Sequence, residues 1–121
     1  SAVARMPKGG FKVIWTDTAA GDLWRIIDRI AGEGSPKAAS AVLARIRRRA
    51  EALKLMPLRG RVVPELLEQG VEIYREGVLP PWRIIYKVVD KKVFVLAVVD
   101  SRRNLEDLLL ERFLDAQPRR R

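Results

Sequence analysis

The sequence predicts an α+β fold, a single domain in which a helical hairpin packs on an antiparallel-rich sheet, in the order β-α-α-β-β-β-α. Three observations carry that expectation. Two consecutive stretches repeat apolar residues at helical spacing, and a short glycine- and serine-containing link joins them. The segment WRIIYKVVDKKVFVLAVV, residues 82–99, reads as two strands either side of the charged turn Asp90-Lys91. A leucine-rich helical stretch, 105–114, comes soon after it.

Residues 1–10 (SAVARMPKGG) have no periodicity and are expected to be a flexible arm. Phe11 to Trp15 alternates and carries β-branched and aromatic residues, which predicts the first strand. Asp17 or Thr18 can then cap a helix whose apolar face is Ala20, Leu23, Trp24, Ile27 and Ile30, with Gly32 and Gly34 stopping it. Trp24 and Trp82 are expected as core anchors, because aromatics at periodic positions pack.

Ser35 can cap the second helix, and Pro36 suits its first position, where a missing N–H costs nothing. Its core stripe is Ala39, Val42, Leu43, Ile46, Ala50 and Leu53, and Pro57 ends the pattern. The run Arg45, Arg47, Arg48 and Arg49 reads most simply as a solvated face. From Leu58 the chain is loop-like, although PELLEQ has the composition of a short helical turn.

Val71 to Glu76 predicts the second strand, and Pro80-Pro81 separates it from the hairpin. In that hairpin Trp82, Ile84, Tyr86 and Val88 share one face, opposite Arg83, Ile85, Lys87 and Val89. Val93 to Val99 is apolar on both faces, the pattern of a strand covered on both sides. Asn104 can cap the last helix, with Glu106 and Asp107 in its first turn. The domain is expected over 11–115, followed by a basic tail at 116–121.

The chain of 121 residues fits one core. Its 24 Lys+Arg against 15 Asp+Glu give a net charge of +9, which favours an anionic partner. No apolar run reaches the roughly 20 residues of a bilayer span, so no membrane association is expected. There is no histidine and no cysteine, which removes Ser-His-Asp, Cys-His and zinc-finger chemistry and suits a reducing cytoplasm. The acids, Asp22, Glu65 and Glu76 among them, show no metal-binding spacing and read as surface charges; no cofactor or metal is expected.

Arginine remains as the chemically useful residue. It stays protonated, so it cannot act as an ordinary base, but it can hold a phosphate with two parallel hydrogen bonds. Arg83, a lone charge on an apolar strand beside Lys87, requires either solvent or a ligand.

The run GRVVPEL from Gly60, then YREGVLPPWRIIYKVVDKKVFVLAVVDSRR and the leucine-rich helix, resembles the RelE/ParE family of bacterial type II toxins. The resemblance extends from Val13 to about Leu114 and is closer to the ParE-like branch. It implies a toxin neutralised by a cognate antitoxin that wraps around it, with a hetero-oligomer or self-association as further outcomes. ParE-like members poison DNA gyrase; the alternative, RelE-like branch cuts mRNA on the ribosome.

By the resemblance, the family's strand arginine falls on Arg83 and its arginine after the last strand on Arg102. With Arg103 these are the expected target-binding residues. No catalytic residue is assigned, but a nuclease reading would use Arg61, Arg83, Lys87 and Arg102 without a metal. The lysines and late tyrosine of RelE-like nucleases are replaced here by Tyr74, Arg75, Glu76 and Leu108. Leu23, Trp24, Ile27, Val42 and Ile46 are the expected antitoxin contacts, in a groove beside the helical hairpin.

Overall fold

Thr16 turns the chain from sheet to helix. It follows β1 (Lys12–Trp15) and precedes α1 (Asp17–Gly32) in a computed structural model that describes residues 10–102 and 105–114. The Thr16 hydroxyl accepts the Ala19 N–H at 3.2 Å and donates to the Val95 carbonyl at 3.0 Å. It is therefore Thr16 that caps α1, in place of the expected Asp17 or Thr18, and the same side chain ties the helix start to the sheet. Residues 1–9 of the expected arm, Arg103, the Asn104 cap and the 116–121 tail lie outside the described residues.

α2 (Pro36–Glu51) starts as its sequence requires, with Ser35 Oγ accepting the Ala38 N–H at 3.2 Å and Pro36 in the first turn. A 3-10 turn (Ala52–Lys54) leads out of it. There follow β2 (Arg61–Val62), α3 (Pro64–Leu67), β3 (Arg75–Leu79), β4 (Trp82–Val89), β5 (Lys92–Asp100) and α4 (Leu105–Phe113). The two-residue β2 is too short for any alternation to announce it.

The expected strand at Val71–Glu76 is displaced to Arg75–Leu79. The reason is local: the Val71 N–H donates to the Leu66 carbonyl and the Tyr74 carbonyl accepts from Val63 N–H, both at 2.9 Å. The first bond closes the loop after α3, so Val71 is not free to pair along a sheet, and the second extends the β2–β3 register by one step, to Tyr74.

The sheet order is β1-β5-β4-β3-β2. β1 runs parallel to β5 and the other pairs are antiparallel, so the sheet is mixed, with β4 at its centre. On one face α1 and α2 cover Trp82, Ile84, Val95 and Val98; on the other, residues of α3 and α4 cover Ile85, Ala97 and Val99. Cover on both faces explains why β5 is apolar from Val93 to Val99.

One irregularity shifts the phase of β5. Ile85 pairs with Ala97 but Tyr86 pairs with Val95, so Leu96 is an extra residue, a β-bulge. Val93 and Val95 therefore face the hairpin side, whereas Leu96 and Ala97 both join the cluster under α4.

α1 is turned by one position from the expected face. Its buried residues are Ala19, Asp22, Leu23, Ile26 and Ile27, while Trp24 is 49% exposed. The stripe at offsets of three and four from Ala19 buries an aspartate and leaves out the tryptophan. Trp82, by contrast, is in the core.

Candidate functional site

The GRVVPEL stretch is held from below by a buried tyrosine. Tyr86 Oη donates to the Pro57 carbonyl at 2.8 Å and accepts the Gly60 N–H at 3.1 Å. A Cβ at Gly60 would collide with the Glu76 carbonyl and the Tyr86 hydroxyl, so only glycine lets the loop approach this closely. Burial pushes the Tyr86 hydroxyl pKa up, and it stays protonated as a donor.

This loop delivers Arg61 to Glu76 of β3, diagonal to Arg83 of the neighbouring β4. Glu76 has no exposed side-chain surface and accepts from Arg61 Nε on one oxygen and from Arg83 Nε, at 2.6 Å, on the other. Arg83 then turns its two terminal nitrogens to Glu65 of α3, at 2.9 and 2.8 Å. Each guanidinium nitrogen of Arg83 thus meets a carboxylate, and its side chain is 8% exposed.

The Arg83 guanidinium holds the Glu65 carboxyl below the usual range, and Glu65 in turn raises Arg83. Both partners are charged at neutral pH, so neither is suited to proton transfer there. The lone strand charge found neither solvent nor ligand but two carboxylates of its own chain. Glu65 and Glu76 are accordingly not the surface charges that their spacing suggested.

A second ion cluster forms where β1 ends. Beyond Val95, β5 has no strand neighbour on that side among the described residues, and the carboxylate of Asp22 from α1 accepts the Val98 N–H at 3.0 Å. Arg112 of α4 reaches the same carboxylate with both terminal nitrogens, at 2.7 and 2.9 Å, and Arg25 donates to it at 2.7 Å. One turn along α1, Arg29 lies 3.8 Å from Asp100, which also takes Arg102 through Nε at 3.0 Å and Nη2 at 2.7 Å.

Arg102 holds the Asp100 carboxyl down at about 2. Between α1, the end of β5 and α4 these residues rim a cleft of about 430 Å³, with Ile26, Val98 and Leu108 in its lining. Asp22 and Asp100 line it with the guanidiniums of Arg25, Arg29 and Arg112, which leaves it positively charged, and Arg102 pairs with Asp100 at its margin.

The expected target-binding residues are therefore separated by environment. Arg83 is buried in the first cluster, not delivered to the surface; Arg102 stands at the rim of the second with 67% of its side chain exposed. Arg61 is 63% exposed while paired to Glu76, and Lys87 is half-buried on the strand face it shares with Arg83.

Of the expected antitoxin contacts, Leu23, Ile27 and Ile46 are buried between the hairpin and the sheet, and Val42 packs against them. They are core residues, because the hairpin's apolar stripe is used up on the sheet. Trp24 is the member of the five that is exposed.

Sequence reasoning missed Asp22, Arg25, Arg29 and Arg112. A signal was present: Asp22 is three residues after Ala19 and four before Ile26, within the apolar stripe. A carboxylate at such a position must find partners.

The model of the ParE toxin of type II toxin-antitoxin systems, parDE, matches residues 13–105. The chain belongs to the ParE toxin family. Two curated relatives from Caulobacter vibrioides are toxins whose names divide between the RelE and ParE sides: Toxin RelE2 is 35% identical over 92 residues, covering 76% of this chain and 97% of its own length. Toxin ParE3 is 31% identical over 94 residues, covering 78% and 90% respectively. The solved chromosomal ParDE TA system from P. aeruginosa shares the fold, with a TM-score of 0.63 at 23% identity over 74% of this chain and 95% of that one. Membership makes this ParE-family chain the toxin half of a toxin-antitoxin pair, with an antitoxin as its partner.

Proposed function

We propose that this ParE-family toxin acts in the cytoplasm by docking on DNA gyrase and inhibiting it, with a cognate antitoxin neutralising it. The observation that carries the reading is the commitment of Arg83 to Glu65 and Glu76. A buried guanidinium whose every nitrogen already meets a carboxylate is poorly placed to stabilise charge on a scissile phosphate. With Tyr86 locked as a donor to Pro57 and no histidine in the chain, docking fits these residues better than cleavage. Purified toxin incubated with gyrase, ATP and relaxed or supercoiled plasmid should block supercoiling or trap a cleaved complex; full supercoiling with no trapped complex would overturn the reading.

A ribosome-dependent endoribonuclease is the second reading, favoured by the exposure of Arg61 and Arg102. It requires mRNA to be cut in a translation reaction. Intact message at toxin concentrations that stop growth would exclude it.

A further inference from the structure

We infer that the cleft between α1, the end of β5 and α4 is a binding site for the phosphodiester backbone of nucleic acid, gripped by Arg25 and Arg29 beside Arg102. This stands apart from the gyrase reading, since it concerns direct contact between this chain and a polyanion.

The charge arrangement is the first reason. Asp22 orients Arg25 and Arg112 through hydrogen bonds and Asp100 orients Arg102, with Arg29 3.8 Å away, so each carboxylate gathers two guanidiniums while cancelling one. Side chains otherwise costly to order are thereby held in place before a ligand arrives. Arg25 is 69% exposed and Arg29 46%, so donors remain on the solvent side of each. Arg25 folds back towards its own helix, over Gly21, where a Cβ would meet its guanidinium at 3.4 Å.

The backbone is the second reason. An acidic peptide most readily docks at a sheet edge by adding a strand. At this edge of β5 the Val98 N–H is already taken by Asp22, so a peptide finds that donor filled. A phosphodiester needs only guanidinium donors and a place for its sugars, and Ile26 and Leu108 supply an apolar lining. Arg25 and Arg29, one turn apart on α1, present two such donors in line.

The test is direct binding of the purified toxin, without gyrase or ribosome, to labelled oligonucleotides in a salt series. One arm uses duplex DNA and the other single-stranded RNA of equal charge. Arg25→Gln/Arg29→Gln is compared with Arg47→Gln/Arg48→Gln, which removes the same charge from the exposed face of α2. Circular dichroism establishes that both fold. Loss of two phosphate contacts should weaken DNA binding about sixtyfold at 0.1 M salt and flatten the log–log salt slope by about 1.8, or about 1.4 for RNA.

The α2 variant should lose less than about threefold, since it leaves the oriented contacts in place. Dependence on Arg25 and Arg29 in either arm supports the inference, and the tighter arm names the nucleic acid. Equal losses in the two variants would reduce the effect to the general +9 field and overturn it. So would an absence of binding in both arms, or a glutamate-rich peptide that binds through these arginines where the oligonucleotides do not.

Discussion

Arg112 of α4 clasps Asp22 of α1 with both terminal guanidinium nitrogens, at 2.7 and 2.9 Å, around the open edge of β5. The two helices lie against opposite faces of the sheet, so this pair joins the layers where β1 stops short. Asp22→Ala should cost about 3–5 kcal/mol, because it leaves both the Val98 N–H and a half-buried guanidinium unpaired. Arg112→Ala should cost less, about 1–3 kcal/mol, since Arg25 and Val98 still serve the carboxylate. Urea unfolding of both variants and of the double variant measures the coupling; equal single losses would contradict this ranking.

Arg83 and Arg61 share one carboxylate but not one environment. Arg83→Ala leaves the buried Glu76 with Arg61 alone and should destabilise by about 3–5 kcal/mol. Arg61→Ala removes a mostly exposed partner and should cost about 1 kcal/mol or less. Any loss of toxicity in an Arg83 variant is therefore expected to accompany unfolding, which thermal melts of the same preparations would reveal.

Tyr86→Phe deletes the group that serves both Pro57 and Gly60 and strands the Gly60 N–H, for an expected cost of about 1–3 kcal/mol. Gly60→Ala should be worse, because its methyl group meets backbone as well as the phenol. Denaturant midpoints in that order would support the tight loop; a neutral Gly60→Ala would count against it.

Acid should weaken the fold in a defined window. The Asp100 carboxyl falls from the ordinary 3.8 to about 2 through the hydrogen bonds from Arg102, and Glu65 is lowered by Arg83. Folded values below unfolded ones mean that this stabilisation is complete above the unfolded values and fades as pH drops through the folded ones. Melting temperatures should thus decline between about pH 4.5 and pH 2, and Asp100→Asn should make that decline shallower. An identical pH profile in the variant would remove Asp100 from the account.

Trp24 offers a separation of folding from partner binding. Leu23→Ala opens the core and should cost about 2–5 kcal/mol, whereas Trp24→Ala, at an exposed position, should stay within about 1 kcal/mol. If Trp24 is an antitoxin contact, its variant keeps the wild-type melt and loses antitoxin affinity in calorimetry; an unchanged affinity would remove it from that interface.

Helical periodicity and turn chemistry made the hairpin of helices and the β4–β5 pair legible, because each depends on residues close in sequence. Ser35-Pro36 and Asp90-Lys91 carry their own stop and start signals. β2 and the displaced β3 were not legible, since backbone bonds from Val63 and Val71 decide where pairing begins. The one-position rotation of α1 was hidden for a related reason: Asp22 becomes a core residue only when Val98 and Arg112 arrive to satisfy it.

The sequence by itself determined an α+β toxin of the RelE/ParE kind, through its GRVVPEL and WRIIY stretches, its +9 charge and its lack of histidine and cysteine. Tertiary structure alone decided what the arginines do. Arg83 and Arg102 look alike in sequence, one just before an apolar run and the other just after one, but Arg83 lies under α3 within reach of two carboxylates and Arg102 stands at a strand end. A guanidinium's role depends on which acceptors surround it, and those acceptors, Glu65, Glu76 and Asp22, come from elements that only folding brings together.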